Sequence, residues 1–545
     1  MSEGPWDATA DVVVVGFGGA GACAAIEAAD GGAEVLVLDR FNGGGATAIS
    51  GGVVYAGGGT PQQDAAGVVD SPEDMYNYLR LETEGAVSEE TLRRFCDESV
   101  SMLAWLERHG VPFEGSTAPY KTSYPTNDFY LYYSGNELAG PSRAVAAPAQ
   151  RGHRARARGT SGKAMFAPLR RAVTGRGVSV KAQTRAEELI TDHTGAILGV
   201  RCSSLDAAPA HVVRGHRWLS ARVGKLNLWY RPVGKLVSRR LLEIEERYGR
   251  TWSVRARQGV VLSAGGFAFN REMVRKEAPA YSQGLPLGTL GDDGAGIRMG
   301  QLAGAATRHL DRASAWRFFT PPSALCKGML VGLSGERVCN ESMYGASVGE
   351  AVIHEHGGRA FLLIDQTVLD EARQQVPRQT LWFQRLQART MLGSGRVEGA
   401  SLEEVAHEAG VDAHVLQQTL EEYNDVAHQN RADPLGKPAD MVQPLERGPF
   451  SLIDVSVRAS VRFPCPTMTL GGLVVDEHTG QVLRPDGSAV PGLYAAGRTA
   501  AGICSKSYVS GLSLADCVFS GRRAGKAASA AQPPADPTKR GSNAL

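Results

Sequence analysis

One stretch limits the fold more than any other. Asp11-Val12-Val13-Val14-Val15 is a β-branched run of the kind that fills a buried parallel strand, and it leads directly into Gly16-Phe17-Gly18-Gly19-Ala20-Gly21. Ala22 to Ala29 reads as an alanine-rich helix, Glu34 to Leu38 as a second strand, and Asp39 closes it. Strand, glycine turn, helix, strand, acid is the order of a dinucleotide-binding unit. In such a unit Gly16 makes the tight turn, Gly18 lets backbone approach a pyrophosphate, and Gly21 lets helix pack on strand. The helix N-terminus turns unpaired N–H groups toward the phosphates. Asp39, 23 residues after Gly16, is placed to accept a hydrogen bond from a ribose hydroxyl.

The chain holds 66 glycines in 545 residues, where average usage gives about 38. The surplus sits in clusters with no three-residue period, which excludes collagen. A second cluster, Gly43-Gly44-Gly45-Ala46-Thr47-Ala48-Ile49-Ser50-Gly51-Gly52, offers small residues and two hydroxyls that suit an extended, flat ligand. Gly259-Val260-Val261-Leu262-Ser263-Ala264-Gly265-Gly266 is another strand ending in glycines. Near the C-terminus, Thr469-Leu470-Gly471-Gly472-Leu473 precedes a hairpin over 474–483 and the strand Leu493-Tyr494-Ala495-Ala496, which ends at Gly497-Arg498. A helix follows over Ser513 to Arg523. Both ends of the chain thus build one nucleotide fold, with a section inserted between them.

The net charge of +1 gives no electrostatic case for nucleic acid. No apolar run reaches about 18 residues, so no membrane span is expected. Met1 to Ala10 lacks an apolar signal core. The eight cysteines form no CxxC pair or zinc-spaced cluster, so neither a metal site nor a disulfide framework is expected, and a reduced cytoplasmic location fits.

The ordered set GFGGAG, GGATAISGG, VVLSAGGF, TLGGL and PGLYAAG resembles the FAD-dependent fumarate reductase/succinate dehydrogenase flavoprotein superfamily over nearly the whole chain. The resemblance implies an α/β fold: a Rossmann-type, glutathione-reductase-like FAD-binding domain from 8–277 and 441–530, carrying an α+β capping and catalytic domain at 278–440. It places Gly16, Gly18, Gly19, Ala20, Gly21, Asp39, Arg40, Ala46, Thr47, Ser50, Gly51 and Gly52 at the cofactor, and adds Ala264, Gly265, Gly497, Arg498, Ser513 and Leu514. Ala46 stands where covalent members carry histidine, so noncovalent FAD is implied. Arg498 stands where many members carry Glu.

Dicarboxylate reductases of this superfamily grip substrate with a His before the TxGG element and an Arg after an Asn-Glu pair. Here Pro464-Cys465-Pro466-Thr467-Met468 precedes Thr469, and Ser342-Met343-Tyr344-Gly345 follows Asn340-Glu341. A phenol replaces the cation. A second phenol lies in Tyr508-Val509-Ser510-Gly511-Leu512-Ser513-Leu514, and GRRAG closes at Gly521–Gly525. With Ala147-Pro148-Ala149-Gln150-Arg151-Gly152-His153, this pattern resembles the 3-ketosteroid dehydrogenases, in particular the 3-keto-5α-steroid Δ4 group. The resemblance implies C4–C5 desaturation. Tyr508 would take the C4 proton, Ser510 and Tyr344 would relay it or hold Tyr508, and a hydride would pass from C5 to FAD N5. The alternatives are Δ1-dehydrogenation, an ene reductase on a non-dicarboxylate substrate, or an electron-transfer flavoprotein subunit. The implied partners are a steroid or other apolar ketone and an electron acceptor that the sequence does not name; nor does it name an oligomeric state.

Ser71 to Gly110 has helical periodicity. The aromatic run Tyr120 to Tyr133 suits both a wall for a flat apolar substrate and ordinary packing. His153 reads as a loop residue and Arg151 to Arg158 as a solvated cationic loop, while Cys339 and Cys504 read as small apolar fillers. Gly291-Asp292-Asp293-Gly294 opens a helix. Ser204 to Trp252 interrupts a sheet segment and is longer than the resemblance implies. From His211 to Arg250, ten Lys/Arg against three Glu leave +7, interleaved with Trp218, Leu226, Leu228, Trp229 and Tyr230. Leu236 to Tyr248 is an amphipathic helix in pattern. This mixture fits a peripheral contact at the inner face of a membrane, and equally a solvated β-hairpin or an oligomer contact. The Pro/Ala/Ser-rich tail 531–545 is expected to be disordered.

Overall fold

In the computed structural model, which describes residues 6–229, 231–458 and 463–532, the opening valines form the centre of an eight-stranded sheet. The opening strand Ala8–Val15 lies parallel to Val35–Leu38 on one side and to the crossover strand Arg250–Leu262 on the other. The closing strand Ala489–Ala495 lies parallel to the crossover strand, pairing Leu493 with Val260 and Ala495 with Leu262. Both ends of the chain therefore share one sheet, as the glycine clusters predict. The turn after the opening strand requires glycine: Gly16 has φ +100°, and a Cβ there would meet Ser263 O at 2.6 Å.

The first helix, Gly19–Asp30, packs on the closing helix Leu512–Ala530. The two glycines of GRRAG make this contact possible. A Cβ on Gly521 would meet Ala20 O at 2.4 Å, and one on Gly525 would meet Ala24 O at 2.2 Å. Nearly every residue of the first helix that faces this contact is sealed from solvent. The Ser71–Gly110 region folds as three helices, Pro72–Thr83, Glu89–Asp97 and Ser99–Arg108, the first two capped by Ser71 and Ser88.

The 204–252 insert is not a β-hairpin. It is a pair of helices, Ala210–Trp229 and Arg231–Tyr248, raised on two strands that stay paired beneath it, with Ser204 opposite Arg250. Helix wins because Val212 and Leu219 on the first, and Leu241, Ile244 and Tyr248 on the second, recur at helical spacing, and Val212 and Ile244 bury against Leu205. The side chains of Lys225 and of residues 227–231, Trp229 and Tyr230 among them, lie outside the described residues. The proposed disordered tail lies outside them from residue 533 onward.

The inserted section forms a four-stranded antiparallel sheet in the order Met329–Val331, Phe361–Ile364, Phe450–Asp454, Arg396–Gly399. The helices Gly345–Glu355, Gln366–Gln379, Trp382–Leu392, Leu402–Ala409 and Ala413–His428 pack with it around one apolar core. Phe450–Asp454 pairs within this sheet although it lies beyond residue 440, so the expected boundary there falls too early. A buried ionic cluster fastens the part: Glu341 pairs with Arg337 at 2.7 Å and Lys437 at 3.2 Å, and Arg337 also pairs with Asp433.

Candidate active site

The cofactor-facing loops are built first by Asp39. Its Oδ2 accepts from Phe17 N–H at 2.9 Å, and its Oδ1 accepts from Phe41 and Gly43 N–H, each at 2.9 Å. A ribose hydroxyl would share a carboxylate that already ties the glycine turn to the second cluster. Thr47 Oγ1 accepts from Gly19 N–H at 3.0 Å. Ser50 Oγ donates to Thr47 O and accepts from Gly52 N–H. Ala46 lies on the short helix Gly45–Ile49 between them. Tyr124 roofs Gly51, its hydroxyl donating to Gly51 O at 2.8 Å.

Three helices begin at this surface with a glycine as N-cap, which supplies no side-chain bond of its own: Gly19–Asp30, Gly45–Ile49 and Leu512–Ala530. Ser513 and Leu514 lie in the first turn of the last, and Gly497 N–H is held by Ser520 Oγ at 2.9 Å. Arg498 is buried and pairs with Asp292 at 2.5 Å. Its other terminal nitrogen, Nη1, has no hydrogen-bond partner among the described residues. Ala264 and Gly265 lie next to this pair, with a Cβ on Gly265 reaching Asp292 Oδ1 at 2.5 Å. Arg40 is committed to two acids, with Nη2 at 2.8 Å from Glu245 and Nη1 at 2.9 Å from Asp293.

The phenols meet. Tyr344, at the N-cap of Gly345–Glu355, and Tyr508, in the loop before the closing helix, come from segments 164 positions apart, yet their ring centroids lie 6.2 Å from one another. Trp316 stacks on Tyr508 at 5.5 Å and Phe318 leans on Tyr344 at 5.1 Å, closing an aromatic box. Ser510 Oγ lies 3.2 Å from the Tyr132 hydroxyl, and the Ser510 side chain also favours the charged form of Tyr344 against its burial. Of the aromatic run, Tyr132 therefore joins the site, whereas Tyr120 and Phe129 pack against each other. Trp316, Phe318 and Tyr132 are site residues absent from the sequence-based set. The run Trp316-Arg317-Phe318-Phe319 is the signal for the first two, and the aromatic run over 120–133 for the third.

Burial holds the Tyr508 phenol well above the ordinary tyrosine range, and Cys504 adds to the shift; the Gly511 N–H and the Arg498 charge pull the other way. Burial likewise raises Tyr344. The protein on its own keeps both phenols neutral. Cys339 and Cys504 are buried, and burial raises both thiols.

Residues 151–154 are not a solvated loop. Gly152–Arg154 is a strand, and Arg151, His153 and Arg154 are all buried. Arg151 pairs with Asp70 at 2.6 Å with both side chains fully enclosed, which satisfies the charge. His153 Nε2 lies 2.8 Å from Thr60 Oγ1, and burial lowers the ring to about 4, so it is neutral. Arg154 is held by Ser161 Oγ and five carbonyl or amide oxygens, and it pins the 159–161 loop beneath Gly51.

Residues 11–511 match the family described as FAD binding domain. The chain belongs to that family. It is 40% identical over 507 residues to a 3-oxo-5-alpha-steroid 4-dehydrogenase from Comamonas testosteroni, covering 91% of this chain and 93% of the relative. A 3-oxosteroid 1-dehydrogenase from Mycolicibacterium smegmatis is 26% identical, with 91% and 93% covered. Among solved structures, a 3-ketosteroid-delta4-(5alpha)-dehydrogenase from Rhodococcus jostii RHA1 in complex with 4-androstene-3,17-dione superposes with TM-score 0.82 at 33% identity, covering 97% and 98%. FAD fits what this chain provides. Helix N-termini opened by glycine would face its phosphates, and the space above Gly18 is open, with Thr47 Oγ1 at 4.0 Å as the nearest atom to a Cβ there. The buried, half-satisfied guanidinium of Arg498 lacks one acceptor.

Proposed function

We propose that this FAD-binding oxidoreductase dehydrogenates 3-keto-5α-steroids between C4 and C5. One observation carries the reading: two buried phenols face each other inside an aromatic box beside an uncapped helix end. A flat apolar ketone suits such a box. A dicarboxylate does not, because the nearby Arg498 spends Nη2 on Asp292 and keeps only Nη1, the nitrogen left to the cofactor. The 40% identity to the Comamonas relative supports the Δ4 bond over Δ1. Ala46 offers no nucleophile for attachment, so the FAD is held noncovalently.

FAD, when bound, supplies the acceptor for the hydride that leaves C5. The chain handles the proton. Tyr508 takes it from C4, where the neighbouring carbonyl makes the C–H acidic, and the Gly511 N–H steadies the charge that develops on the phenol oxygen. Tyr344, Ser510 and Tyr132 form the hydroxyl chain beside it. Trp316 and Phe318 exclude water and orient the rings. Anaerobic mixing with a 3-keto-5α-steroid should bleach the oxidised flavin and release a conjugated 4-ene-3-one. No bleaching with any ketosteroid, with reduced flavin instead reoxidised by an unsaturated acid, would favour the ene reductase.

The helical insert is the site of a peripheral membrane contact in this reading. Trp218 and Leu236 are 56% and 67% exposed among exposed Arg214, Arg217, Arg222, Lys235 and Arg239. No helix among the described residues is long and apolar enough to cross a membrane. Trp218→Ser with Leu236→Ser should reduce sedimentation with phosphatidylglycerol vesicles and leave flavin bleaching unchanged. Equal sedimentation of variant and parent would end the idea.

A further inference from the structure

One loop holds both segments that carry the phenols. On one side Ser510 N–H donates to Ser134 O at 3.1 Å, and Ser134 Oγ donates to Ser510 O at 3.0 Å. On the other, Asn136 Oδ1 accepts the backbone N–H of Tyr344 at 2.6 Å. Asn136 Nδ2 donates to the Glu82 carboxylate at 2.9 and 3.0 Å and to Ser347 Oγ at 2.8 Å. The loop itself is anchored by Asn136 N–H to the Tyr78 hydroxyl, Gly135 N–H to Glu137, and Lys121 to Gly135 O. Ser134, Asn136, Glu137 and Lys121 are all buried, so each polar group needs its partner.

The amide of Asn136 has a donor end and an acceptor end, and an ionised carboxylate only accepts. Glu82 therefore fixes which way Asn136 points, and the acceptor end is left for Tyr344. We propose that Ser134–Asn136 is a bracket that sets Tyr344 against Ser510 and Tyr508, and that Asn136 and Glu82 are positioning residues for the proton transfer. The inference rests on the functional reading above. Burial raises Glu82 to about 7, with Glu137 adding to the shift and Asn136, Tyr78 and Lys121 opposing it. Below that pH a protonated Glu82 can donate, and only the Tyr344 N–H then orients the amide.

Asn136→Asp keeps an acceptor for Tyr344 but faces Glu82 with a second carboxylate. Adding Glu82→Gln restores a donor–acceptor pair with the roles exchanged. Stopped-flow bleaching of the flavin by a 3-keto-5α-steroid, steady-state kcat and KM, and the flavin spectrum are measured for each. Asn136→Asp is expected to lose about 10- to 100-fold in bleaching rate, with KM within about two-fold and the spectrum intact. The double variant is expected to recover most of that loss. A single variant as fast as wild type, or a double variant as slow as the single, overturns the bracket. If Asn136→Asp loses its flavin, the nearly isosteric Glu82→Gln decides. A slower rate at pH 8 and loss of the bend near pH 7 support the bracket, and a wild-type rate and profile overturn it. Wild-type enzyme that bleaches with no ketosteroid sinks the functional reading instead.

Discussion

Tyr508 lies under Trp316 and beside Tyr344, enclosed on all sides, and its environment opposes the charged form a base needs. The fraction of phenolate then falls tenfold for each pH unit below its ionisation. The bleaching rate should therefore climb without a plateau from about pH 7 to 10. Tyr508→Phe should keep its flavin and lose about 100-fold or more of that rate. A flat profile, or near-normal bleaching in the phenylalanine variant, would remove Tyr508 from the base role. Tyr344, Tyr508 and Ser510 were legible in the sequence because each sits in a short motif. Trp316 and Asn136 were not, and Tyr132 was visible only as one ring among the aromatic run over 120–133. Their meaning lies in contacts over 190 to 380 positions of chain, such as Trp316 on Tyr508, Tyr132 at Ser510 and Asn136 at Tyr344. His153 misled for the opposite reason: its cationic neighbours look solvated until Asp70 is seen to neutralise Arg151.

At the scale of elements, the insert is fastened by Glu245. This carboxylate binds Arg40 at 2.8 Å and lies 3.3 Å from His216 Nε2, while Asn42 Nδ2 donates to Ser220 Oγ. Burial opposes its charge, but His216 and Arg40 outweigh that and lower its pKa below the usual 4.5. Glu245→Ala leaves Arg40 with Asp293 alone and should cost about 1–3 kcal/mol in denaturant unfolding at pH 7. A lowered folded-state pKa means stabilisation that is present above about 4.5 and lost as pH falls through the folded value, so the gap between variant and parent should narrow in acid. An unchanged unfolding midpoint at pH 7 would show that the insert is held by its apolar contacts alone. The second insert helix was legible through Leu236 to Tyr248. The first was hidden, since Gly215 and Gly224 interrupt it and arginines lie on both sides of Trp218.

For the whole molecule, the glycine clusters disclosed the two-ended sheet because each marks a place where backbone meets backbone or cofactor, and such places cannot carry a side chain. The inner boundary was less visible. Phe450–Asp454 reads as one more short apolar run, and only its pairing with Phe361–Ile364 assigns it to the inserted part. The two-ended sheet has a consequence during synthesis. The crossover strand ends at Leu262 and the closing strand begins at Ala489, 227 positions later. At about 5–20 residues per second, the ribosome takes roughly 10–45 s to bridge that gap. Until then Val260 to Leu262 lack the second of their two parallel neighbours, and the alanine face of the first helix lacks Gly521 and Gly525. Synthesis of the closing strand and helix thus decides when a half-built sheet stops being a surface on which nascent chains can aggregate.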